Sequence, residues 1–270
     1  MNRNKKLAIS FFIFLSVIII AGIIFLCYSK NGSSQIADQL LTPRCPKLVV
    51  GVVSDIHAGN EKIKESEEGI PIYPSKYNEI FPSVLDKMKT EGVNLVISAG
   101  DNTSRGKAKF ALDLKRIAEE KNMEIIWVKG NHDRVSENAM ANFGLDSNYY
   151  YIDKCDWRFI ALNSCDFSSM DTGGIGIDQM NWLKSVLETD KKIVIIIHHS
   201  IWKKENKEII NPIYDEFEKL ISQSGNVRHV FSGHNHTENW DRIYNGVEYH
   251  AIPALSLARE PLDYKVFNLD

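Results

Sequence analysis

Cysteine is scarce in this chain. Its 270 residues hold four cysteines with no Cys-x-x-Cys spacing. That excludes a cysteine zinc site and the disulfide framework of a small secreted domain. Cys155 falls in a turn between two apparent strands and Cys165 ends the second. At about 3.3 Å per residue they lie roughly 25 Å apart, beyond disulfide reach. Free or buried thiols are therefore expected. Charge of one sign is also lacking. Lys and Arg number 32 against 35 Asp and Glu, a net charge of -3. No global field favours nucleic acid, and none is expected as a partner. No internal repeat or low-complexity tract is present, which excludes an array of short units.

Residues 7–27 contain no charged side chain and are almost wholly apolar. As a helix rising about 1.5 Å per residue, such a run spans roughly 30 Å, the thickness of a bilayer core. Arg3, Lys5 and Lys6 precede it. The positive-inside bias then keeps the N-terminus cytoplasmic and places the remainder outside. A cleaved signal peptide is the rival reading, because Cys27 and Ser29 flank Tyr28. The run is longer than the usual apolar core of about 7–15 residues in such peptides. The expected organisation is a tail over 1–6, a transmembrane anchor over 7–27, a polar stalk over 28–47 and a globular domain over 48–270.

Within that domain, β-branched runs alternate with helical spacing. Strands are expected at 48–53, 94–98, 124–129, 192–197 and 227–231, with a hairpin over 149–152 and 157–162. Helices are expected over 77–90, 108–122, 178–188 and 214–222, the third with Asp178 as N-cap. Phe110, Leu112, Leu114, Ile117 and Ala118 mark the inner face of the second helix. Strands over 247–252 and 264–269 close the chain. The early βαβα order implies parallel pairing, and the β-rich second half implies a second sheet.

Five of these runs end in polar, metal-competent residues. They are Ser54-Asp55-Ile56-His57, Gly100-Asp101-Asn102, Gly130-Asn131-His132-Asp133, His198-His199 and Gly233-His234-Asn235-His236. Strand ends are where α/β folds place their chemistry. Carboxylates, imidazoles and an amide oxygen form a mixed N/O donor set. Such a set suits Zn²⁺, Mn²⁺ or Fe²⁺. It has too many donors for one open ion and enough for two sharing a carboxylate. Two ions about 3.5–4 Å apart can activate water and polarise a phosphoryl group for in-line attack.

In this order the five motifs resemble those of the calcineurin-like metallophosphoesterases, and the run Gln179-Met180-Asn181-Trp182-Leu183 after Gly174–Gly176 resembles the helix entry of the acid-phosphatase and class III cyclic-nucleotide phosphodiesterase branch. The resemblance covers about 48–270. It implies an α/β fold of four layers, a central β-sandwich flanked by helices. It implies two divalent metal ions, Mn, Fe or Zn. Asp55, His57 and His236 would hold one ion, Asn131, His198 and His234 the other, and Asp101 would bridge them. His132 would stand beside the phosphate as an acid catalyst, with Asp133 orienting it. The activity implied is hydrolysis of a phosphomonoester or phosphodiester by a hydroxide bridging the metals. Purple acid phosphatases place a tyrosine three residues after the second aspartate. Ser104 stands there in this chain, which argues against a tyrosinate-ferric pair.

Neighbouring residues have plainer readings beside functional ones. His199, next to His198 on a strand, should face away, with substrate contact and a structural role both open. Arg134 could reach a phosphate, as could Arg105, although solvated surface is the simpler role for each. Lys203, Lys204 and Lys207 could draw an anionic substrate or merely solvate a loop. His229 and His250 lie within strands and read as packed or surface residues. Two rival functions remain: a non-catalytic module that captures a phosphorylated ligand, and a metal-supported structural domain. The expected substrate is a small-molecule or lipid-linked phosphoester, a lipid-linked pyrophosphate included. The expected localisation is single-pass membrane, domain outward. Sequons at Asn102 and Asn235 sit inside the motifs, which fits a bacterial surface without N-glycosylation better than a glycosylating compartment.

Overall fold

The computed structural model describes residues 45, 47–66, 69–135, 140–165, 173–202, 209 and 212–270. The expected tail, the anchor and all of the stalk except Cys45 and Lys47 lie outside these. Among the described residues, no helix is long and apolar enough to cross a membrane. Lys47–Asp270 forms one compact unit.

The β-branched runs form strands where the sequence places them. A first sheet has the order β12-β1-β4-β5. Here β1 is Leu48–Val53, β4 is Leu95–Ser98, β5 is Ile125–Trp127 and β12 is Lys265–Leu269. β1, β4 and β5 run parallel. The last strand differs from expectation. It returns to the first sheet and pairs antiparallel with β1, Leu48 opposite Leu269.

The second sheet has six strands in the order β10-β11-β9-β8-β7-β6. They are β6 (Tyr150–Lys154), β7 (Trp157–Leu162), β8 (Lys192–Ile197), β9 (Val227–Ser232), β10 (Trp240–Tyr244) and β11 (Val247–Ala251). β10 is not evident from sequence, because its polar residues mask the alternation. Two short strands, β2 (Lys64–Glu65) and β3 (Pro71–Ile72), form a small hairpin in the expected loop after β1.

Among the described residues, four α-helices cover the outer faces. They are α1 (Tyr77–Thr90), α2 (Ala108–Glu120), α3 (Ile177–Val186) and α4 (Pro212–Gln223). Phe81, Val84, Leu85 and Met88 of α1 follow the i, i+3, i+4, i+7 rule and pack with α2 against the first sheet. The inner face of α2 is Phe110, Ala111, Leu114, Ile117 and Ala118, whereas Leu112 is 53% exposed. The residue 100° around the helix, Ala111, takes its expected place. Leu183 of α3 and Tyr214, Phe217 and Ile221 of α4 pack on the second sheet. α3 begins one residue before the expected start, with Gly176 as N-cap, so Asp178 lies inside its first turn. A third core of Val50, Val52, Ile97, Phe159, Val194, Ile196 and Phe231 lies between the sheets. The result is the α/β/β/α sandwich expected.

The thiol expectation holds for Cys165, which is buried with Sγ donating to Lys129 O at 3.5 Å. It fails for Cys45 and Cys155, which are each disulfide-bonded.

Candidate metal centre

Parallel strands carry their C-terminal ends to the same edge of a sheet. β1, β4 and β5 thus deliver Asp55 and His57, Asp101, and Asn131 with His132. Across the sandwich, β8 and β9 deliver His198, and His234 with His236. Backbone bonds lock these exits together: Asp55 N donates to Gly100 O at 3.0 Å, His57 N to Asp101 O at 2.9 Å and Gly233 N to His198 O at 2.9 Å. The sheets also meet directly, with His234 N donating to Asp55 Oδ2 at 3.0 Å.

The turns are tight. Asp55, His57, Asp101 and His234 all have φ between 50° and 71°. Non-glycine residues seldom adopt this region, and such strain gathers at functional sites. Two motif glycines have a steric cause. A Cβ on Gly130 would strike the Asp101 backbone and carboxylate, and one on Gly233 would strike Ser54 and Asp55.

Two donor clusters result. In the first, Asp55, His57, Asp101 and His236 present ligand atoms that all lie within 4.8 Å of one another. The Nε2 atoms of His57 and His236 are 3.0 Å apart. Asp55 Oδ1 lies 3.8 Å from the first and 3.4 Å from the second. That oxygen is buried and accepts no hydrogen bond. In the second cluster, Asn131 Oδ1 lies 2.9 Å from His198 Nε2 and 3.2 Å from His234 Nδ1. Asp101 Oδ2 belongs to both, 3.5 Å from His57 Nε2 and 3.4 Å from His198 Nε2. All of these residues except His234 are buried.

The electrostatics fit cations. His198 Nδ1 stands 2.9 Å from the Ala99 carbonyl, which requires the ring to donate there. In a neutral ring Nε2 then presents a lone pair to two oxygen acceptors. Burial works against a charge on His198, yet Asp101 and Asp55 outweigh it and push its pKa up to about 10. The site thus demands positive charge at that nitrogen. Burial pushes His57 down to about 3, helped by His132 and His236 and opposed by Asp101. A neutral imidazole is a competent ligand. Burial opposes ionisation of Asp55 and Asp101, but the surrounding histidines hold both below the ordinary carboxylate range. The donor set therefore fits a pair of divalent ions sharing Asp101.

His132 sits at the rim, its side chain 17% exposed and Nε2 3.9 Å from Asp101 Oδ2. Its ring lies edge-on to His57, with centroids 4.7 Å apart. Asp133 does not orient that ring directly, contrary to expectation. Its Oδ2 accepts from the backbone N–H groups of Gly130 and Asn102 and from Asn102 Nδ2. Its Oδ1 accepts from the N–H and hydroxyl of Thr103. Both oxygens are committed to the loop after Asp101.

His199 also departs from expectation. β8 ends at Ile197, so strand alternation stops before it. Its ring joins the site, 4.3 Å from His234 and 5.1 Å from His198, and Nδ1 lies 2.7 Å from Ser164 Oγ. Ser104 Oγ donates to His57 O at 2.8 Å, a supporting role. Asn102 is buried with Nδ2 donating to Val128 O, so a glycan has no place there. Arg105 pairs with Glu61 at 3.3 Å on the surface. The side chain of Arg134, and Lys203, Lys204 and Lys207, lie outside the described residues. Sequence reading assigned no supporting role to Ser54, Asn102, Thr103 or Ser164, which hold the metal-competent side chains in place. The signal for the first three is adjacency to the motifs, whereas Ser164 meets His199 only in the folded chain.

Known proteins resemble this chain in sequence and fold. The chain is 23% identical over 222 residues to a Fibrobacter succinogenes protein named probable cyclic nucleotide phosphodiesterase, covering 79% of this chain and 82% of that one. Its fold matches a dimetal phosphatase from Danio rerio with a TM-score of 0.64, at 15% identity and over 83% and 93% of the two chains. It also matches a purple acid phosphatase from yellow lupin, TM-score 0.54 and 13% identity, over 77% of this chain and 44% of that one. The calcineurin-like phosphoesterase model matches residues 48–238. The chain belongs to the calcineurin-like phosphoesterase family, hydrolases that act on phosphoric ester bonds.

Proposed function

We propose that this hydrolase is a dinuclear metallophosphoesterase, held on the outer face of a membrane and acting on a small or lipid-linked phosphoester. The carrying observation is the position of Asp101 Oδ2, 3.5 Å from His57 Nε2 and 3.4 Å from His198 Nε2. One carboxylate oxygen is thus shared between two ligand sets. Asp55, His57 and His236 complete one set, and Asn131, His198 and His234 the other. Two divalent ions bound there would supply Lewis acidity and an activated water for in-line displacement at phosphorus.

The chain's own residues divide the remaining work. Asp133 holds the loop that presents Asp101 and Asn131. His132, at the rim and beside His57, stands where it can protonate the departing oxygen. His199, oriented by Ser164, is buried next to His234, where it can support that ring or meet a substrate oxygen.

The Fibrobacter relative's name supports a phosphodiester, cyclic nucleotides among them. Two features support an outward location. Residues 7–27 are uncharged behind Arg3, Lys5 and Lys6. Cys45 and Cys155 are disulfide-bonded, a state that persists outside a reducing cytosol. Substrates on that side are extracytoplasmic phosphoesters.

Chelator-stripped protein assayed with nitrophenyl mono- and diesters tests the activity. Turnover should be absent without metal and return with Mn²⁺, and the ratio of the two rates separates a monoesterase from a diesterase. Turnover that is unaffected by stripping and metal return would overturn the dinuclear reading.

A further inference from the structure

Outside the centre, a second group of metal-competent side chains stands at the edge of the sandwich. It comes from strand register. Alternation along β11 puts Glu248 and His250 on one face. Parallel pairing sets Glu248 opposite His229 of β9. His229 Nδ1 lies 3.2 Å from His250 Nε2 and 3.6 Å from Glu248 Oε2, and His250 Nε2 lies 3.8 Å from the same oxygen. The circle through atoms with these separations has its centre about 2.1 Å from each, the length of a zinc–nitrogen or zinc–carboxylate bond.

We propose that His229, Glu248 and His250 form a third divalent-cation site, suited to Zn²⁺, with one coordination position left open. Two imidazoles and a carboxylate are a zinc-type donor set.

The surroundings prepare the rings for this role. Asp241 Oδ1 lies 2.7 Å from His250 Nδ1. Accepting that proton fixes the tautomer and turns the lone pair of Nε2 toward His229 and Glu248. A carboxylate behind a histidine is the usual support for a ligand. The same Asp241 oxygen accepts from Lys265 Nζ at 2.8 Å, which restrains it. The His250 ring stacks on Phe231 at 4.9 Å and meets Phe267 edge-on at 4.7 Å. His229 stacks near Trp157 at 6.0 Å. Burial and the neighbouring His250 lower the pKa of His229, and burial lowers that of His250 against the pull of Asp241. Both shifts favour the neutral ring, the form able to ligate. A shared proton would satisfy the two rings alone, whereas a cation engages all three side chains.

The site is independent of the catalytic donors, so its test does not depend on their role. Full-length protein, stripped and re-equilibrated with Zn²⁺, is compared with Glu248→Gln and His229→Ala by metal analysis after removal of free ion. Glu248 is nearly half exposed, so its isosteric change leaves the fold intact. The wild type should hold one more Zn²⁺ per chain than either variant, and phosphoesterase activity should be equal in all three. Zn²⁺ should also raise the unfolding temperature of wild type more than that of Glu248→Gln. Wild-type metal content in either variant would overturn the site.

Discussion

Thr103 gives both its backbone N–H and its hydroxyl to one oxygen of Asp133, at 2.9 and 2.8 Å. The pair joins the loop after β4 to the turn after β5, and so holds Asp101 at its place relative to Asn131. In this structure the last residue of the Gly-Asn-His-Asp motif is a clamp.

Asp133→Ala should therefore act on stability as well as on turnover. It leaves the buried N–H groups of Gly130, Asn102 and Thr103 without an acceptor, each at a cost of about 1–3 kcal/mol. Part of that will be recovered by water, so a net loss of roughly 3–5 kcal/mol is expected. Urea denaturation of metal-free protein measures it. Unchanged stability with reduced kcat would return Asp133 to the role of orienting His132.

Asp101→Asn should weaken both ions and lower kcat by at least about 10³, since the activated water and its Lewis acids are lost together. Metal content and turnover should fall in parallel. Near-normal activity with two ions retained would refute the shared carboxylate.

His132→Ala should keep both ions and lower kcat by about 10²–10⁴, the range of acid–base assistance. The deficit should narrow for esters with acidic leaving groups, which need little protonation. Loss of one ion on metal analysis would make His132 a ligand instead.

Alkylation with and without reductant, read by mass spectrometry, checks the oxidation state. In protein from the native host, unfolded without reductant, Cys165 should be modified while Cys45 and Cys155 resist until a thiol is added. Recovery of both as thiols would remove the chemical support for the outward location. Protease added to intact cells is the complementary test. The domain should be digested, and full protection until lysis would reverse the topology.

Much of this was legible without coordinates. Leu48–Val53 and Lys192–Ile197 are largely β-branched runs that read as buried strands, and the helix at Tyr77–Thr90 follows from its apolar spacing. The polar residues just past the strand ends were readable for the same reason. Parallel pairing sends them to one edge, and their N/O character names the ions they suit.

Contacts between distant segments were not legible. The return of Lys265–Leu269 to β1, the ring of His199 turning into the site, and four of the five hydrogen bonds on the Asp133 side chain depend on partners far along the chain. So does the His229, Glu248 and His250 triangle, which exists only in the observed register of β9 on β11. Local sequence determined which segments would be strands or helices and what chemistry they carried, because backbone propensity and burial act over a few residues. Tertiary structure alone decided which side chains meet, because a one-residue slip in register would turn each of them to the opposite face.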